Sequence, residues 1–127
     1  MVVRTDFSSE QVWVAVRELM LAETGDGFRA YVEIVDDAAF GGYEPDSVLA
    51  SVGADYAYSF VIIADRTTMT DAEHPLLIVD LVHERGRSFR AIPPAVQGIE
   101  NNLSIANMDF HEFADAVDQD GVFRDFR

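Results

Sequence analysis

The chain has 127 residues, a formal net charge of -14 and no cysteine. That length suits one compact domain spanning 1–127 with a sizeable core, and the missing cysteine excludes disulfides and thiolate-bound metals. Nine arginines and no lysine face 23 acids, which argues against nucleic acid and an anionic membrane surface as partners and favours a basic protein or a divalent cation, beyond what the charge does for solubility.

Val2 to Phe7 is a short β-rich run. Ser8 opens a helix, with Ser8 and Gln11 at capping-box spacing and Val12, Trp13, Val16, Leu19 and Met20 on one face. Gly25-Asp26-Gly27 ends it. Arg29 to Asp36 alternates and reads as a strand, with Ala30, Val32 and Ile34 on one side. Pro45 suits the first turn of a short helix carrying Val48, Leu49 and Val52. Ala57 to Ala64 is nearly continuous apolar, as a strand buried on both faces would be.

The segment from Asp65 to Pro75 is polar and reads as a loop. Leu76 to Val82 is a strand, Glu84-Arg85-Gly86 a turn, and Ser88 to Ile92 the returning arm of a hairpin, stopped by Pro93-Pro94. Ala95 to Asn102 is a short helix. Asp109 caps the last helix, with Glu112 at the capping-box position and Gly121 as its C-cap. This order implies an α/β sandwich with a mainly parallel sheet of four to six strands, an antiparallel hairpin at one edge and flanking helices.

Three strands leave the sheet with acids: Asp6, Asp36-Asp37 and Asp65. Parallel strands put these ends on one edge, where ligand crevices form. Converging carboxylates need a metal cation or an arginine among them, Mg2+ being the ion they would take, so these four aspartates are the candidates for catalysis. The alternative, which the residue type favours, is that each makes an Asx turn or a helix cap. Arg66, Thr67, Thr68 and Asp71 form a candidate binding loop after a buried strand, without the glycines of a phosphate loop. Asn101, Asn102 and Asn107 either orient a ligand or cap turns. Arg85, Arg87 and Arg90 are a basic island on the hairpin, suited to an anion or to the acidic face of a second copy in a homodimer, or balanced by neighbouring acids. His74, His83 and His111 lack i, i+4 spacing, and neither HExxH nor G-x-S-x-G occurs.

The stretches VVRTDFS at 2–8, ADRTTMTDAEHPLLIVDL at 64–81 and IENNLSIANMDFHEFADAV at 99–117 resemble a small family of uncharacterised proteins, chiefly actinobacterial, labelled as a domain of unknown function. The resemblance implies a bacterial single-domain protein and brings no activity or cofactor with it. The absence of lysine agrees with a high-GC source. Charges in the first six residues argue against a signal peptide, and the stretch from Tyr56 to Ala64 is half the length of a membrane span, so a cytoplasmic protein is expected. Two functions follow as expectations: a non-catalytic acidic binding module (adaptor, regulator or immunity-type protein) docking a basic protein, or a small enzyme or ligand-binding protein using the strand-end carboxylates.

Overall fold

A computed structural model of the protein describes residues 1–53, 56 and 58–126. Its strands are β1 (Val2–Arg4), β2 (Ile34–Val35), β3 (Phe60–Ala64), β4 (Leu76–Asp80), β5 (Ser88–Ala91) and β6 (Val122–Phe123). Its helices are α1 (Glu10–Leu21), α2 (Pro45–Ser51), α3 (Arg66–Thr70), α4 (Val96–Ser104) and α5 (Phe110–Ala114).

The strands form one sheet in the order β2-β1-β3-β4-β5-β6. β1 runs parallel to both β2 and β3, and β5 runs parallel to β6. The β3-β4 and β4-β5 pairs are antiparallel. The expected hairpin therefore occupies one half of the sheet, and β6 closes the edge outside it.

Alternate residues of the central strands face two separate cores. Val2, Phe60, Ile62 and Ile78 pack with Trp13, Val16 and Met20 of α1, Ile99 of α4 and the aromatic rings of α5. Val3, Val61, Ile63 and Val79 pack with Val48 and Leu49 of α2. The chain thus leaves β1 over one face to reach β2, and returns over the other face to reach β3. Crossovers on opposite faces, diverging from a shared strand, make a topological switch point at the carboxyl ends of β1 and β3.

Several elements differ from expectation for local reasons. Helix α1 is capped by Ser9, whose Oγ accepts the Val12 N–H, because Ser8 is held by the Asp6 carboxylate instead. Leu19 faces solvent, 44% exposed, rather than the core. The strand expected over 29–36 is ordered only at Ile34–Val35, since β1 starts at Val2 and offers no neighbour further back. The polar loop after Asp65 contains α3, started by a capping box between Asp65 and Thr68. The last helix ends at Ala114 rather than near Gly121; Gly121, at φ +79°, instead turns the chain into β6. The start expected at Ala57 lies outside the described residues.

Candidate functional site

The strand-end acids share an edge but not a centre. Asp36 accepts from Arg4 Nη1 at 3.1 Å and from Trp13 Nε1 at 3.2 Å. Arg4 is 2% exposed, also donates to Glu10 at 2.9 Å, and lies against the Phe7 and Trp13 rings. Among the described residues its Nη2 has no hydrogen-bond partner and rests as a buried donor beside those rings. Asp37 caps a 3-10 turn through the Ala39 N–H, and Asp6 accepts from Ser8.

Asp65 is bound more tightly. It accepts from the Thr68 N–H, and its two oxygens accept Arg90 Nη1 and Nη2 at 2.9 and 2.8 Å. Burial pushes its pKa up, but the Arg90 guanidinium and Thr68 outweigh that and leave the carboxyl below its ordinary value. Among the described residues, no group of three or more acids or histidines is placed to hold a metal ion. The strand-end aspartates act as caps and ion-pair partners.

At the switch point lies a cavity of about 330 Å³. Asp6 comes to it from the end of β1, Asp65, Arg66 and Thr67 from the end of β3, and Tyr43 and Glu44 from the loop before α2. That loop is pinned by the Gly42 N–H donating to the Thr5 carbonyl at 2.8 Å, and by edge-on packing of Phe40 on Tyr43. The concavity is therefore set by backbone bonds.

The other candidates disperse. Thr68 is fully buried, and its hydroxyl donates to the Pro75 carbonyl, so it faces no ligand. Asp71 accepts the Glu73 N–H. Asn102 donates to the Gly98 carbonyl and accepts from Asn107, as turn caps do, whereas Asn101 is exposed and its side-chain amide makes no hydrogen bond among the described residues. The three arginines part company: Arg85 donates to the Leu81 and Leu49 carbonyls, Arg87 pairs with Glu84 and Asp115, and Arg90 goes to Asp65. Two of the three are thus paired with acids of the fold, and Arg85 is held by backbone carbonyls.

Sequence reasoning missed Arg4, Asp80 and Arg124. Asp80 is 2% exposed, and its oxygens accept the Val82 and Glu84 N–H groups of the β4-β5 turn. Arg124 binds Glu73, Asp118 and Asp120. A charge inside an apolar run, as in VVRT or LIVDLV, was the available signal for the first two.

A second cavity, about 170 Å³, lies beside the β4-β5 turn between His83 and His111. None of the described helices is long and apolar enough to cross a membrane. No curated protein matches the chain. The family model described as "Domain of unknown function (DUF6924)" matches residues 1–126. With nearly its whole length matched, the chain belongs to this family.

Proposed function

We propose that the protein is a non-catalytic acidic module that docks a basic protein segment along the β2 edge of its sheet. The supporting observation is an aromatic and acidic strip leading into β2. Tyr31 is 83% exposed and Phe28 61% exposed, in the segment just before β2 that pairs with no strand among the described residues. Exposed aromatic rings are the side chains that partner interfaces use most as anchors. Asp26 and Glu33 flank the rings in sequence, and Glu100 approaches the Tyr31 N–H at 3.4 Å.

The pairing of β2 gives the docking mode. The Val2 N–H bonds the Glu33 carbonyl, so the alternate groups of Ile34 point away from β1 toward the open edge. An added strand would find backbone partners there, rings for its apolar side chains and carboxylates for its arginines. The lysine-free composition fits a high-GC actinobacterial source, and the reading takes the cytoplasm as the setting.

The test is an NMR titration with an alternating Arg-Val decapeptide and its citrulline counterpart, at low and high salt. The expected outcome is a set of shifts centred on residues 28–35 that needs the arginines, weakens with salt, and falls at least fivefold in affinity in Tyr31→Ala. Shifts scattered over all acidic surfaces, or unchanged binding in Tyr31→Ala, would overturn it.

A further inference from the structure

We infer that the switch-point cavity is a binding site for a small zwitterion of the free α-amino-acid class, independent of the β2 edge. The argument starts from which charges are already satisfied. Arg4, Arg29, Arg87, Arg90 and Arg124 all have carboxylate partners, and Arg85 is bound to carbonyls. Arg17 and Arg66 have no ion-pair partner among the described residues; Arg17 lies over the Trp13 ring, whereas Arg66 is exposed and lines the cavity.

Its neighbours are uncommitted as well. Glu44 begins α2 without its carboxylate capping the helix. The hydroxyls of Thr67 and Tyr43 make no hydrogen bond among the described residues. A cation, a carboxylate and two hydroxyls therefore converge on one preformed hollow without bonding one another. A few polar groups converging on a concavity at a switch point are what small-molecule sites present.

The charges set the ligand class. Asp65 is already neutralised by Arg90, so Arg66 is free to receive a carboxylate, and Thr67 can donate to the same group. Glu44 and Asp6 line the same cavity and supply the carboxylates that suit an ammonium group. A phosphate would meet these carboxylates with repulsion, and a simple cation would leave Arg66 unanswered. The volume of about 330 Å³ is at the small end of ligand sites and fits an amino acid better than a nucleotide.

The test uses the whole chain, labelled with 15N, and each of the twenty common amino acids at millimolar concentration. Inorganic phosphate, acetate and methylammonium serve as comparisons. The expected result is that at least one amino acid shifts the amides of 5–6, 42–45 and 63–67 and raises the melting temperature by a few degrees. None of the comparison ions should do so. Arg66→Gln and Glu44→Gln, both at exposed positions, should each weaken binding by about tenfold or more while the apo melting temperature stays within about two degrees. No response to any amino acid, an equal response to phosphate or acetate, or full binding by Arg66→Gln would overturn the assignment.

Discussion

Arg90, on β5, reaches past the start of β4 to grip Asp65 at the end of β3 with both Nη atoms, at 2.9 and 2.8 Å. Its Nη1 also donates to the Pro75 carbonyl just before β4. A single guanidinium therefore ties the ends of three neighbouring strands. Both side chains are about three-quarters buried, so removing one partner strands the other. Arg90→Met should cost ~2–3 kcal/mol in urea unfolding. Arg90→Lys should recover less than half of that, because an ammonium cannot match both oxygens.

The same pair sets part of the acid response. The Asp65 pKa is lowered in the fold, so the unfolded chain takes up a proton first as pH falls. The stabilisation is fully present above the ordinary aspartate value, near 4, and is lost as pH drops through the lowered folded value. Asp65→Asn should be less stable at neutral pH and show a flatter decline between about pH 4 and 2. Urea midpoints measured across that range will check it.

Asp80 predicts a second stability defect, at the opposite edge of the sheet. Its carboxylate accepts the Val82 and Glu84 N–H groups at 3.0 and 2.8 Å, and its own carbonyl accepts the Gly86 N–H. Asp80→Ala removes the acceptor of both turn N–H groups and should cost ~1–3 kcal/mol. Asp80→Asn keeps one acceptor oxygen and should cost roughly half as much. Hydrogen exchange should show faster exchange at 82–86 in both variants.

Tyr56 governs the alkaline side. Its hydroxyl donates to the Phe60 carbonyl, and burial, with help from Tyr58 and Glu33, raises its pKa to about 12. The unfolded chain loses that proton near pH 10, so stability falls as pH rises from about 10 toward 12. In Tyr56→Phe this alkaline loss should shrink, and the latest step of an ultraviolet absorbance titration should disappear.

What could be read from sequence was what is local. Asp109 and Glu112 form the expected capping box because three residues separate them, and helix geometry does the rest. The continuous apolar run before Asp65 became β3, buried along its length, since a central strand with helices on both faces needs no polar side. The Asp65-Arg90 clamp was hidden because it depends on β4 lying between two strands, and strand order is not a local property. Arg4 was hidden for the same reason: Glu10 arrives from α1 and Asp36 from the end of β2. Two-residue strands such as β6 carry too short a pattern to be seen at all.

The placement of β1 has a consequence for how the chain reaches its fold. β1 precedes β2 and β3 in sequence yet lies between them, and Val2 meets Ile62 across the ladder. The β3-β4-β5 meander pairs near neighbours and can assemble early, whereas β1 must close a loop of about thirty residues to reach β2 and about sixty to reach β3. β2 pairs with β1 alone among the described strands, so the two should join the β3-β4-β5 meander together and after it has formed. Truncating Val2 or Val3 to Ala should accelerate unfolding and leave the refolding rate nearly unchanged.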